Sequence, residues 1–472
     1  MPPALLRAAA GLACALALAG CRPAEPIARP NVLLITLDTT RADRLGVYGY
    51  ERPTSPHLDA LAAEGAHWER AYSTSTWTLP SHASLFTGRY PRTHGADYDA
   101  NGPFTLGDAV AGPAEFRELR ARGLTGPAPT LAESLRAAGY RTGAVVAGPW
   151  MKRLFGLDRG FDVYDDDGIR NVNGRPGRDV TDAALRFLDD ASAAPGTPFL
   201  LFLNYFDAHS PYHPKRPCMD AVTRPEERFE GETSDPAKLS LLYDAEIRCV
   251  DREIGRLVQH LRARELHDAT WILVTADHGE LIGEHGDTGH GKSLYEVELR
   301  VPLVVKPPRG EGPRGPQREI VQLTDLHPWI LARVGVPIPP GTQGAFPPGA
   351  RPALAEVDRP QLGPRGRWRA IVDGDWKYLE NDAGRRMLFD VARDPAEADD
   401  RATAEPERAG ALARRMHELL DAQPRPAADA APPGSVDDAT RRALESLGYV
   451  QETPHEGGVE ADRQDEPDAR AP

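Results

Sequence analysis

Cysteine is scarce in this chain, with four among 472 residues, and that excludes a small fold stapled by disulfides. Positive charge is also short: 56 Lys and Arg stand against 70 Asp and Glu, a net charge of −14. Such a balance argues against nucleic acid as a partner and repels an anionic membrane surface. An anionic substrate would meet an unfavourable overall field, so any anion site must be locally positive. Nucleotide-binding signatures are missing too, with no Walker loop and no Gly-x-Gly-x-x-Gly opening a helix after a strand. The acidic run DVYDDDG (162–168) is no calcium loop, because Val163 stands at its first ligand position and no Glu closes it. HGELIGEH (278–285) has the wrong spacing for the helical two-histidine zinc motif. No tandem repeat is present.

Long apolar runs are confined to the N-terminus. Arg7 precedes AAAGLACALALAG, which is too short to span a bilayer and ends in small residues. Residues 1–20 therefore read as a signal peptide. Leu18-Ala19-Gly20-Cys21 is similar to a bacterial lipobox, in which cleavage before the cysteine leaves its thiol lipidated; a plain signal peptide cut nearby is the other reading. A lipid on Cys21 makes the mature chain anchored rather than spanning, and the expected location is the periplasmic or cell-surface face of a bacterial membrane. Export implies an oxidising compartment. Cys218 and Cys249 are then either a disulfide closing a loop of roughly 30 residues or two buried thiols.

Four continuous apolar runs, NVLLITLD (31–38), RTGAVVAG (141–148), PFLLFLNYF (198–206) and TWILVTAD (270–277), predict parallel strands covered on both faces. Helical stretches separate them. PTLAESLRAAGY (129–140) has a cap at Thr130 and stops at Gly139. Tyr243, Ile247, Val250, Ile254, Leu257 and Leu261 repeat at the 4-3 spacing of one helix face. The expectation is an α/β fold with a mostly parallel central sheet flanked by helices, spanning 28–345. The stretches 306–316 and 337–352 are rich in Pro and Gly and read as linkers. After the second, WRAIVDGDWKYLEN and RRMLFDV, joined by turns such as Asp373-Gly374, and a helix over about 404–422 predict a small antiparallel sheet plus helix within 353–425. The acidic stretch 452–472 reads as disordered.

Ligands bind beyond the carboxyl ends of the strands in open α/β sheets. Three of the four runs stop there on Asp38-Thr39-Thr40, Asp207-Ala208-His209 and Asp277-His278-Gly279-Glu280. A single carboxylate in such a place is a turn former, but three of them, two with histidines, point to a metal. His82, His94, His209, His213, His278, His285 and His290 lie in three short stretches. Mixed Asp and His ligands suit zinc, manganese or magnesium better than calcium. The opposing reading is a set of ordinary loop histidines.

Three segments, NVLLITLDTTRADRLGVYGY, TSPHLDALAAEGAHWERAYSTSTWTLPSHASLFTGRYPRTHG and TADHGELIGEHGDTGHGKSLYEVELRVPLVV, resemble the sulfatase family of the alkaline-phosphatase superfamily. AIVDGDWKYLEN and MLFDVARDPAEADD are similar to that family's C-terminal sheet. The resemblance implies one divalent metal held by Asp38, Asp277 and His278, and a nucleophile at Thr78 that also binds the metal. It implies an anion contact from Lys292 and a leaving-group contact from His209. From the chemistry of the residues, Lys292 and His82 would add local positive charge, and His209 or His290 could protonate the leaving oxygen.

Departures from the family pattern bear on the substrate. Family members carry Cys or Ser, oxidised to formylglycine, two residues before a Pro; here Thr78-Leu79-Pro80-Ser81-His82 stands there. A threonine cannot yield that aldehyde, and a sulfated threonine has no easy exit. A phosphorylated threonine can be attacked at phosphorus. Asp38-Thr39 replaces paired aspartates, Asp277-His278 replaces Asp-Asn, and the Gly-Lys-Trp-His anion motif has no match beyond AGPWMKRLFG (147–156). The expectation is an ester hydrolase acting on phosphate diesters or monoesters, the substrate being a small-molecule, glycan-linked or lipid-linked anionic ester. The alternatives are a sulfatase with an unmodified threonine, an envelope phosphoryl transferase, and a lipoprotein that binds anionic glycans without catalysis.

Overall fold

The computed structural model describes residues 29–113, 119–193, 196–227, 229, 231, 233–349, 351–358 and 367–425. The expected signal segment with Cys21 and the acidic stretch 452–472 lie outside them.

Eight strands form the central sheet: β1 (Asn31–Leu37), β2 (Ala66–Trp68), β3 (Arg141–Val145), β4 (Val163–Asp165), β5 (Phe199–Tyr205), β6 (Thr270–Thr275), β7 (Leu303–Lys306) and β8 (Gly315–Gln317). Their spatial order is β8-β2-β7-β6-β1-β5-β3-β4. Strand β1 pairs in parallel with β6 and β5, and β5 continues in parallel to β3. Only β7 runs against its neighbours. The four apolar runs are thus the four consecutive parallel strands β6-β1-β5-β3, and every residue of β1, β5 and β6 is buried. Two-sided burial accounts for their continuous rather than alternating hydrophobicity.

Alternate residues of β1 feed two cores. Val32 and Leu34 face one, with α2 (Thr78–Thr87), α3 (Leu131–Ala137) and α7 (Leu323–Arg333). Leu33, Ile35 and Leu37 face the other, with α1 (Pro56–Ala63), α4 (Gly177–Ser192) and α6 (Pro236–Ala263). Helix α3 starts with the Thr130–Glu133 capping box, the reciprocal bond pair that satisfies two free amides at a helix start. Cys218, in α5 (Arg216–Val222), and Cys249, in α6, form a disulfide with their Cα atoms 5.4 Å apart, which resolves the two open readings of these thiols.

The stretch 306–316 is not simply a linker, because Gly315–Gln317 forms the edge strand β8 against β2. Pro316 is tolerated there, since an edge strand needs no partner on its outer side. Strand β7 and the short β2 were also not anticipated as strands.

A second sheet of β9 (Ala353–Val357), β10 (Trp368–Asp373), β11 (Trp376–Asn381) and β12 (Arg386–Asp390) is antiparallel throughout. One face, with Leu354, Ile371, Tyr378 and Leu388, packs on Leu412, Met416 and Leu420 of α8 (Pro406–Asp421). The other, with Ala355, Trp368, Ala370 and Leu379, joins the core that holds α2 and α7. A buried ion cluster reinforces that junction: the fully buried Lys377 ammonium lies 3.2 Å from Glu296 Oε1 and 2.9 Å from Glu397 Oε1. Glu397 is pushed up to about 7, by burial above all, against the pull of Lys377.

Lys377→Met would leave two carboxylates buried without a cation, and breaking such a cluster typically costs about 3–5 kcal/mol. The urea midpoint of the Lys377→Met protein should fall sharply and recover in part in Lys377→Met/Glu397→Gln; an unchanged midpoint in the single variant would show that the cluster contributes nothing.

Candidate functional site

Strands β6, β1 and β5 lie side by side, so their carboxyl ends deliver Asp277, Asp38 and Asp207 to one edge of the sheet. Of these, Asp38 and Asp277, with His278, bring one ligand atom each within 4.8 Å of one another. All three are buried, at 1%, 1% and 0% exposure, and that burial decides what the cluster needs. Neither oxygen of Asp38 has a hydrogen-bond partner, nor do Asp277 Oδ2, His278 Nε2 and Glu280 Oε2. Buried polar atoms are almost always paired, so these unpartnered atoms fit a cation. The electrostatics agree: burial, then the charges of Asp277 and Glu280, raise the Asp38 carboxyl well above its ordinary range. Asp277 is held below its range although burial opposes this, because His278, His82 and two amides favour the anion.

Each ligand is aimed by its surroundings. Asp277 Oδ1 accepts from the amides of Thr39 (3.2 Å) and His278 (2.9 Å), leaving Oδ2 to face the cluster. His278 Nδ1 lies 2.9 Å from the Gly279 carbonyl, and donating there leaves Nε2 with a free lone pair, the form a metal requires. The Gly279 backbone runs so close to residue 297 that a Cβ would sit 2.0 Å from the Val297 carbonyl oxygen; only glycine fits after His278.

Thr39 follows β1 at φ 56°, a left-handed conformation that is rare for a β-branched residue. Its hydroxyl, with one proton to share, lies 2.7 Å from the Asp38 carbonyl and 2.8 Å from the Ala208 carbonyl, and its own carbonyl accepts from Tyr243 (2.7 Å). These bonds hold the strained turn, and the Thr39 hydroxyl is committed to backbone carbonyls. Such strain typically costs about 1–3 kcal/mol and persists where surrounding structure over-determines it.

Thr78 is the first residue of α2, after the extended Trp77. The helix can begin two residues before Pro80, because Pro at the third position asks for no amide donor. One turn on, His82 Nδ1 lies 2.8 Å from the Thr78 carbonyl and 3.6 Å from Asp277 Oδ2, which sets the start of α2 against the cluster. The neighbouring hydroxyls have mainly structural partners: Ser81 donates to the Ser75 carbonyl and contacts Ser73, and Thr76 donates to Ser293.

His82 does not fit the positive charge expected of it. Its ring is fully buried, its Nε2 meets Thr36 Oγ1 at 2.9 Å, and burial lowers its pKa despite Asp277. It acts instead as a neutral strut between α2 and β1. Lys292 is on the loop after β6, but its ammonium is paired with Asp287 Oδ1 and the Thr288 carbonyl, both at 2.7 Å. His290 Nδ1 lies 2.9 Å from Glu280 Oε1, and its ring bridges His278 (4.5 Å) and His209 (4.9 Å). His209 stacks on Phe206 at 4.2 Å. Its pKa is lowered to about 4, by burial first and then by His290. His94 and His285 are elsewhere: His94 bonds Ser84, and His285 stacks on Tyr295.

Two contributors escaped the sequence reading. Glu280, with no exposure, orients His290 and adds a third carboxylate to the cluster's field; only its place in the Asp277–Glu280 strand end hinted at this. Asn204 reaches Thr36, His82's partner, and accepts the amides of Ala147 and Gly148.

The family model for sulfatases matches residues 30–336. The chain is 26% identical to an ulvan-active sulfatase of Formosa agariphila over 417 residues, covering 78% of this chain and 76% of that protein. It is 23% identical to the choline-sulfatase of Rhizobium meliloti over 453 residues, covering 78% and 81%. A protein solved with its substrate D-glucosamine-2-N,6-O-disulfate superposes with a TM-score of 0.68 at 18% identity, covering 86% of this chain and all of that one. The phosphonate monoester hydrolase of Agrobacterium radiobacter superposes at 0.59 and 20% identity, covering 83% and 95%. At these identities the superpositions speak for the fold.

Asp38→Asn should abolish the rise in melting temperature that manganese or zinc gives the chelator-treated protein. It should also raise the melting temperature of the metal-free protein by about 2–4 °C, since it removes one of three crowded buried carboxylates. A variant that still responds to metal would remove Asp38 from the ligand set.

Proposed function

The chain belongs to the sulfatase family of ester hydrolases, and on that premise we propose that it is a metal-dependent hydrolase of phosphate or phosphonate esters that works through a covalent Thr78 intermediate. The observation that carries this reading is the threonine itself, at the start of α2 beside the Asp38–Asp277–His278 cluster. A divalent cation held by those residues would polarise an ester oxygen and favour the ionised form of a nearby hydroxyl.

The chain's own groups supply the rest. The Thr78 hydroxyl attacks phosphorus, the bond to the leaving alcohol breaks, and the alcohol oxygen takes a proton. The amides opening α2 and its dipole favour the anionic group. His290, fixed by Glu280, and His209, stacked on Phe206, flank the cluster on the leaving-group side. Water then attacks phosphorus and frees Thr78. Lys292 contributes to anion binding only by exchanging Asp287 for substrate. The β-methyl of Thr78 bars the aldehyde route by which the family's cysteine or serine releases sulfate. Zinc, manganese and magnesium all suit the donor set. A lipid-anchored enzyme at the periplasmic or cell-surface face is part of the same proposal, resting on the lipobox-like 18–21 stretch.

A second reading, sulfate ester hydrolysis by an unmodified threonine, is favoured by the activities of the curated relatives, which are sulfatases. The two separate on a panel of 4-nitrophenyl sulfate, phosphate, phenyl phosphonate and bis-phosphate with manganese or zinc. We expect phosphoryl or phosphonyl turnover, lost by about a thousandfold or more in Thr78→Ala; sulfate turnover alone, abolished by the same change, establishes the second reading.

His209 with a pKa near 4 is largely neutral at neutral pH. Its folded value lies below the ordinary one, so its acid form fades as pH rises through about 4. The His209→Ala penalty on esters of poor leaving groups should therefore be larger at pH 5 than at pH 8, and small throughout for 4-nitrophenol esters. A pH-independent penalty would remove His209 as the proton donor.

A further inference from the structure

Beside His209 opens a cavity of about 1110 Å³, bordered by the 210–214 loop and by helices α5 and α6. Its position ties it to the cluster. The Ser210 carbonyl holds His209 Nδ1 at 2.5 Å. Tyr212, on the cavity wall, packs edge-on against Tyr243 at 5.6 Å, and the Tyr243 hydroxyl bridges the Thr39 carbonyl and the Arg41 amide. Ser210 and Tyr212 of its wall thus adjoin His209 and Tyr243 at the flank of the cluster.

The lining states what the cavity can hold. Tyr212, Met219, Phe229, Leu239 and Leu242 present apolar faces there, each partly exposed. The one guanidinium among the described lining residues, Arg216, lies 3.8 Å from Asp220, one turn along the same helix, which offsets its charge. A chain of sulfated or phosphorylated sugars needs cations spaced along its track; among the described lining residues Arg216 has no companion, and the neighbouring Lys238 ammonium lies over the Phe229 ring at 5.4 Å. The wall is also braced: α5, only seven residues long, carries Met219 and Arg216 and is fastened to α6 by the Cys218–Cys249 bond.

We infer that this cavity is the leaving-group subsite and that it selects uncharged alcohols with a large apolar face over polyanionic glycans. The inference rests on the hydrolase reading for its catalytic meaning, but its binding can be tested without turnover. The full chain is titrated calorimetrically with 2-naphthol and with 2-naphthol-6-sulfonate, alongside Leu242→Asp on α6 and Met219→Asp on α5. Retained melting temperature and metal response qualify each variant as folded. Wild type should bind the neutral naphthol about tenfold or more tighter than the sulfonate, and either substitution should erase that preference, as expected when a charge enters an apolar contact. Separately, kcat/KM for the matching naphthyl esters should show the same order, expressed mainly in KM. Equal binding of the two naphthols, or a preference untouched by both substitutions, overturns the subsite. Preserved naphthol binding with no ester turned over leaves the subsite standing and overturns the hydrolase reading instead.

Discussion

The site depends on carboxylates that have been buried together without partners. Asp38, Asp277 and Glu280 converge with His278 out of reach of water, and five of their polar atoms have no hydrogen bond. Placing an ion in such surroundings costs several kcal/mol even after relaxation, and like charges add to it. The sheet keeps this arrangement because the ligands stand on the ends of its two most central strands, each buried along its whole length. A cation returns what the crowding costs, so folding and metal affinity are linked.

Around that cluster the chain spends its polar groups on direction rather than charge. The two amides on Asp277 Oδ1 fix which oxygen faces inward. The Gly279 carbonyl fixes the tautomer of His278, and Glu280 fixes the plane of His290. His82 belongs to the same layer: buried and neutral, it joins the first turn of α2 to Thr36 of β1 and so registers Thr78 against the Asp38–Asp277–His278 cluster.

Much of this was legible in the sequence. Strands buried on both faces announce themselves as continuous apolar runs, and the residues on which those runs stop lie at the sheet edge where Asp38, Asp277 and His278 gather. That is why Asp38, Asp277, His278 and His209 could be named from spacing and family likeness. What was not legible has a common cause. The short strand β2 and the edge strand β8 owe their state to neighbours far along the chain rather than to their own composition. Lys292 is exposed enough to find Asp287 within its own loop, a local pairing that no motif encodes. The states of His82 and Glu280 follow from burial, a property of the assembled fold.

Threonine at two places gives the site its particular character. In a family whose members pair aspartates after the first strand, Thr39 instead turns its hydroxyl to two backbone carbonyls and holds a left-handed bend. It supplies no ligand; it shapes the turn that aims its amide at Asp277. Losing a carboxylate there lowers the negative charge around a bound cation, and a less neutralised cation polarises its ligands more strongly. An unmodified threonine hydroxyl, weaker as a nucleophile than an aldehyde hydrate, needs such a cation more. On the hydrolase reading proposed above, the two substitutions would compensate each other: Thr39 would sharpen the electrophile that a Thr78 nucleophile requires, and both would favour release by attack at the central atom rather than by expulsion from the side chain.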